Sequence, residues 1–303
     1  MKKPIIVSVL NYKGGVGKTT VTANLAAYAA SKGHRVLMVD LDPQASLTFS
    51  FLSVHEYVNV YMSKTLKQFF EPYTKGKSNA PSLDELQVSV YPKDIKLDLL
   101  SSHLGLMDID AEFIGRLMAN TQNLLAANFI SVYSLLRDAL NSMQTPHDLV
   151  LIDCPPSFNT MVKNAIVASN MCIIPTRMDF LSTFGIDQLN ARIASYVEQY
   201  NDYAVASANS TIESPEILGL VPTMVTLYRG GLINDAAELQ SAYEKRYHMF
   251  PWLQERATFY GKAPSTGIPA VLGKYYIPSS RTALGELEKL GAEFLKAVNL
   301  PNG

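Results

Sequence analysis

The stretch Asn11-Tyr-Lys-Gly-Gly-Val-Gly-Lys-Thr-Thr20 limits the fold more than any other part of this chain. It follows a β-branched apolar run, Ile5 to Leu10, which reads as a buried strand. It leads into "KTTVTANLAAYAASK", an alanine-rich helix over residues 18–32 with Gly33 as its C-terminal cap. "RVLMVD", residues 35–40, is a second apolar strand. A strand, a glycine loop, a helix and a strand in such quick succession require parallel strands and a right-handed crossover.

The rest of the chain repeats the alternation. Residues 97–102, 148–154, 170–175 and 216–225 read as strands, and residues 105–142 as two helices. Further helices are expected over 181–200, 231–247 and 279–298. The pattern calls for an α/β fold, a doubly wound, mostly parallel sheet flanked by helices. Residues 55–96 are less regular. They carry Lys64, Lys67, Lys75 and Lys77 among Phe69, Phe70 and Tyr73, which suits a solvated helix with a buried aromatic side, and "KGKSNAPS" reads as an exposed loop. Neither a repeat nor a linker interrupts the 303 residues, so one domain over 1–303 is expected.

Bulk composition narrows the function. With 26 basic and 27 acidic residues the net charge is −1, so nucleic-acid contact requires a local basic patch. The two cysteines, Cys154 and Cys172, lie in apolar runs without metal-ligand spacing and read as buried thiols. The N-terminal apolar run is too short for a signal peptide, and nothing approaches a membrane span, so a cytoplasmic protein is expected.

Gly17-Lys18-Thr19 fits the end of the general phosphate loop G-x-x-x-x-G-K-[ST], although Tyr12 stands where that pattern begins with glycine. Glycines at 14, 15 and 17 leave the backbone N–H groups of Gly14, Gly15, Val16 and Gly17 open to a phosphate chain. Lys18 reaches the β- and γ-phosphates, Thr19 offers its hydroxyl to Mg²⁺, and the helix start adds a positive dipole end. Asp40 and Asp42 follow the second strand, where alternation would turn both to one side, and Asp153 ends the run "LVLI". Carboxylates beside a phosphate loop suit hard Mg²⁺.

"KGGVGKTT", "DLDPQAS" and "LIDCPPS", in this order and at these spacings, resemble the deviant Walker A ATPases of the ParA/MinD family, especially the ParA-type (Soj-like) partition proteins. "LDLLSSHLGL" resembles their "LDLLPSN", "GLVPTMV" their late strand, and "KAPSTGIPAV" their "EAPSFGKPV". The likeness covers most of the chain and implies the P-loop NTPase fold of the deviant Walker A (SIMIBI) type. It implies Mg-dependent hydrolysis of ATP to ADP and phosphate, slow until a ParB-like or other adaptor stimulates it, in an ATP-sandwich homodimer.

On this resemblance Lys13 reaches the partner subunit's phosphates, Thr20 touches the α-phosphate, and Asp42 positions the attacking water. Asp40 and Asp153 hold Mg²⁺ directly or through water. Pro222, Thr223, Met224 and Pro264 lie near adenine, though Thr226 stands where the family often has Asp or Asn. Non-specific DNA would be held by Arg229, Lys245, Arg246, Lys262, Lys274 and Arg281, giving a nucleoid-associated protein that segregates or positions a plasmid, chromosome or protein cargo. The first strand begins near residue 5, so no N-terminal helix-turn-helix is expected.

Three other functions share the loop. A MinD-like membrane-surface ATPase needs a basic C-terminal amphipathic helix. Here Glu286, Glu288 and Glu293 balance Arg281, Lys289 and Lys296, and Leu284, Leu287, Leu290, Phe294 and Val298 suit core packing. An iron–sulfur reductase needs cluster-binding thiolates. A small-molecule kinase or ligase is the last.

Overall fold

The computed structural model describes residues 3–90, 95–118, 122–228, 231–232, 234–255, 260, 268–273 and 280–302. A seven-stranded sheet has the order β3-β4-β2-β5-β1-β6-β7. Its strands are β1 (Ile5–Val9), β2 (Val36–Asp40), β3 (Val88–Ser89), β4 (Leu97–Leu100), β5 (Leu149–Asp153), β6 (Met171–Arg177) and β7 (Glu216–Thr223). All neighbours pair parallel except the edge strand β3, which runs antiparallel to β4. Helices cover both faces, as parallel strands require.

The pleat assigns each strand residue to one of two cores. Ile6, Leu37, Val39, Val150, Ile152 and Cys172 face one layer. That layer holds α4 (Leu66–Thr74), α6 (Leu106–Met118), α7 (Gln122–Tyr133), α8 (Leu135–Ser142), α9 (Thr160–Ala168) and α10 (Phe180–Ala206). Val7, Val9, Val36, Met38, Leu149, Leu151 and Ile173 face α1 (Lys18–Ser31) and α12 (Ser280–Ala297). Short helices α2 (Ser46–Phe49), α3 (Val54–Glu56) and α5 (Leu83–Leu86), and a π-helical turn over Tyr57–Tyr61, connect the early elements. A hairpin of β8 (Leu227–Tyr228) and β9 (Gly231–Leu232) precedes α11 (Asn234–Glu244).

α1 is buried on almost every side because α12 closes over it. Leu287, Leu290, Phe294 and Val298 are buried there, and a Cβ on Gly291 would come within 2.4 Å of the Tyr28 ring. The C-terminal apolar face is therefore spent on the core. No helix among the described residues is long and apolar enough to cross a membrane.

Two expected boundaries move. Residues 105–142 hold three described helices, not two. Leu136 N–H donates to Asn164 Oδ1 at 3.2 Å, and the Ser134 hydroxyl bonds back to Ile130 O, so α8 starts as a separate element. The helix expected over 231–247 begins at Asn234, because 231–232 pair with 227–228. α4 does bury Phe69 and Phe70, and both cysteines are free and buried.

Candidate functional site

The glycine loop lies where β1, between β5 and β6, hands the chain to α1. Ligands of doubly wound sheets collect at this carboxyl edge. Gly15 and Gly17 have φ of 69° and 82°, conformations open to glycine at no steric cost. Gly17 is the N-cap of α1 and has no side chain to cap it, so the first N–H groups of the helix face the cleft. A cavity of about 480 Å³ is lined by Gly14, Gly15, Gly17, Lys18, Thr19, Thr20, Asn24, Asp42, Gln44, Pro156, Met224 and Tyr260, among others. An apolar hollow of about 130 Å³ adjoins it, shares Gly17, Thr20, Met224 and Tyr260, and adds Thr223 and Leu253. Val16 is wholly buried, and Pro222 lines neither space. Pro264 lies outside the described residues. A larger open hollow of about 920 Å³ beside α4 and α5 mixes Lys64, Lys75 and Lys77 with Glu71, Asp84 and Glu85, and shares no residue with the loop.

Lys18 is buried. Its ammonium donates to Asn11 O at 3.1 Å and Lys13 O at 3.2 Å, which stitches the loop closed. Burial lowers its pKa, and the charge of Asp153 works against that. Beneath the loop, Asp153 accepts from the Thr19 hydroxyl at 2.7 Å and the Thr22 hydroxyl at 3.2 Å. Burial pushes its carboxyl up to about 7, and the neighbouring Asp42 charge adds to the rise. Asp40, its partner across β2 and β5, is also fully buried. It accepts from Thr48 N–H at 2.8 Å and Thr48 Oγ1 at 2.7 Å, and burial and Asp153 raise its pKa. Two dry adjacent carboxyls under a threonine hydroxyl call for a proton or a cation, and hard oxygen donors fit Mg²⁺. Among the described residues no three His, Cys, Asp or Glu groups converge as a metal centre. A cation here would complete its shell from a ligand and water.

Asp40 and Asp42 do not share a side as alternation suggested. β2 ends at Asp40, whose carboxylate turns into the floor. Asp42 lies past the pleat in a turn closed by Ala45, at φ 55°, and lines the cavity.

Lys13 is absent from the cavity lining. Its ammonium meets Asp179 at 3.1 Å, both side chains being 41% exposed. Tyr12 packs edge-on to Phe158 at 5.9 Å, with the Arg192 guanidinium 4.8 Å above the Phe158 ring. Of the basic residues expected on DNA, Lys245, Arg246 and Arg281 are exposed, and Arg246 is paired with Asp187 at 2.8 Å. Arg229, Lys262 and Lys274 lie outside the described residues, and Thr226 is exposed. Sequence reasoning missed Thr22, Thr48, Ser102 and Asp179. Thr22, one turn beyond Thr19 on α1, and Ser102, inside "LDLLSSHLGL", carried a local signal.

A family model described as an AAA domain matches residues 4–204. A Pseudomonas putida protein described as uncharacterized is 30% identical over 308 residues, 98% of this chain and 97% of its own. The sporulation initiation inhibitor protein Soj of Bacillus subtilis is 26% identical over 278 residues, 92% of this chain and 93% of Soj. With an uncharacterized protein of Methanocaldococcus jannaschii the match, 29% identical, spans 60% of this chain and 62% of the relative.

Among solved structures, a Cyanothece McdA variant in complex with ATP superposes with a TM-score of 0.72 at 19% identity, over 99% of this chain and 98% of that one. A plasmid partition protein of Borrelia burgdorferi gives 0.65 at 22%, over 97% and 99%. Cobyrinic acid a,c-diamide synthase of Mycobacterium smegmatis with ADP and magnesium gives 0.62 at 22%, over 98% and 96%. At these identities the structures report a shared fold.

Proposed function

This chain belongs to the AAA-domain family of ParA/MinD type, with Soj-like partition ATPases among its relatives, and from that premise we propose that it is a Mg-ATP-dependent ATPase that closes into a homodimer around ATP. In this reading residues 1–303 form one ATPase domain that binds DNA without sequence preference. It positions a plasmid, chromosome or protein cargo on the nucleoid, in the cytoplasm, with a ParB-like adaptor accelerating its slow turnover.

The observation that supports this best is the division between the two loop lysines. Lys18 is buried and lines the cavity, whereas Lys13 stands outside it in an exposed pair with Asp179. Exposed pairs of this kind are worth about 0–1 kcal/mol. Lys13 is thus cheaply redirected to a neighbouring subunit's phosphates, where a cation stabilises the charge that develops in phosphoryl transfer.

The other roles follow the lining. The loop N–H groups of Gly14 to Gly17, with Lys18 and Thr20, hold the phosphates. The Thr19 hydroxyl would hold Mg²⁺, with Asp153 and Asp40 behind it acting directly or through water. When bound, Mg²⁺ neutralises charge on the β- and γ-phosphate oxygens. The apolar hollow at Thr223 and Met224 takes the base. Asp42 orients the attacking water and accepts its proton as the water oxygen bonds to the γ-phosphorus and the bond to the bridging oxygen breaks, leaving ADP and phosphate.

Lys13→Ala tests the reading. ATP turnover falls to background, and light scattering with ATP shows monomer. Unchanged phosphate release would remove the trans role. The ATP-loaded protein should shift non-specific duplex at about 50 mM salt and release it as salt rises several-fold. Failure to bind at low salt sinks the DNA part alone. A membrane-surface role of the MinD kind has less support, because the apolar face of α12 is buried against α1.

A further inference from the structure

We propose that Ser102 is a positioning residue for ATP hydrolysis, acting on Asp42 through the main chain. The inference rests on the reading above, in which Asp42 orients the attacking water.

Asp42 lies beyond the end of β2, so no strand pairing sets its backbone. Its geometry comes from a small set of hydrogen bonds. Its N–H donates to Asp40 Oδ1 at 3.2 Å, and its carboxylate Oδ1 accepts from Gln44 N–H at 3.0 Å. Its carbonyl accepts twice, from Ala45 N–H at 2.8 Å and from the Ser102 hydroxyl at 2.6 Å. The Ala45 bond is local to the turn and moves with it. The Ser102 bond arrives from sixty residues away, from the chain just past the end of β4 at Leu100, and so ties the turn to the segment that leaves the sheet.

Ser102 is itself held on two sides. Its N–H donates to Thr48 Oγ1 at 3.0 Å, and that same oxygen donates to Asp40 Oδ2. Its carbonyl accepts from the Tyr57 hydroxyl at 2.9 Å. Thr48, Ser101 and Ser102 are wholly buried, so water does not compete for these bonds. One network therefore joins the floor carboxylate Asp40 to the rim carboxylate Asp42 and sets the distance between them. Ser102 does not line the cavity. Its removal should move the water-orienting carboxylate and leave the phosphate grip alone.

A misplacement of about 1 Å in a reacting group costs up to a hundredfold in rate. With the Ala45 bond retained, Ser102→Ala should lower kcat for ATP roughly tenfold, while the Kd for ATP, measured by calorimetry, stays within about twofold. Ser102→Thr keeps the hydroxyl and should recover most of kcat. Tyr57→Phe, which frees the Ser102 carbonyl without touching Asp42, should lower kcat by a smaller factor and serves if Ser102→Ala does not fold.

Asp42→Ala is measured beside them. Wild-type turnover in Asp42→Ala overturns the role of Asp42 itself. Turnover lost in Asp42→Ala but unchanged in Ser102→Ala, or in Tyr57→Phe where Ser102→Ala is insoluble, overturns the positioning role only. A Ser102→Ala defect that lies wholly in ATP affinity, or that Ser102→Thr does not relieve, also overturns it.

Discussion

In the floor of the cleft Asp40, Asp153 and Lys18 are almost wholly buried and held by hydrogen bonds from their own chain. At its rim Lys13 and Asp179 are each 41% exposed and meet as an ion pair. The floor groups sit where water cannot screen them, so each interaction is strong and each missing partner costly. The rim pair sits in high dielectric, where its attraction is small and a competing charge displaces it. Groups that would act on their own subunit's ligand are preset, and the group that would act on a partner's ligand is kept where it can be redirected.

Three measurements bear on that contrast. The largest effect is expected for Lys18→Ala, which removes a buried cation and two loop bonds. It should weaken ATP binding by a hundredfold or more, about 3 kcal/mol, by calorimetry. Lys13→Ala in the same assay should change monomer affinity by less than about threefold. Equal losses would erase the distinction between floor and rim.

Next is Asp153→Asn. A carboxyl raised from 3.8 to about 7 keeps its proton in the folded chain where the unfolded chain has lost it. Its stabilising contribution is therefore full below about pH 4 and is lost as pH rises to about 7. The amide has no proton to lose. Urea melts without nucleotide should show Asp153→Asn gaining about 4 kcal/mol on wild type between pH 4 and pH 8. Parallel pH profiles would mean that the floor carries its charge without cost.

The smallest effect belongs to Asp179→Asn, at under about 1 kcal/mol of stability. A loss of several kcal/mol would place the rim among the preset groups.

Much of the fold was legible because its signals are local. The β1, glycine loop, α1 and β2 unit is written in one continuous stretch, and the doubly buried strands appear as unbroken apolar runs. The place of the glycine loop between β1 and α1 was legible for the same reason. The separation of Asp40 from Asp42 was not, because alternation holds only while the strand continues, and β2 stops at Asp40. The break near Ser134 was also hidden, since it depends on Asn164 from another helix. Asp179 lies 166 residues from Lys13, and no periodicity announces such a meeting.

By itself the sequence determined the parallel sheet, the loop at its carboxyl edge and the residue types set around that loop. Those follow from hydrophobic period and from glycine's freedom at positive φ, which act over a few neighbouring residues. Only the tertiary structure decided which carboxylate is dry and which faces the cavity, which lysine is enclosed and which is paired at the surface, and that Ser102 ties the turn of Asp42 to the segment that leaves the sheet. Burial and hydrogen-bond partners depend on segments brought together from distant parts of the chain, and electrostatic strength depends on burial.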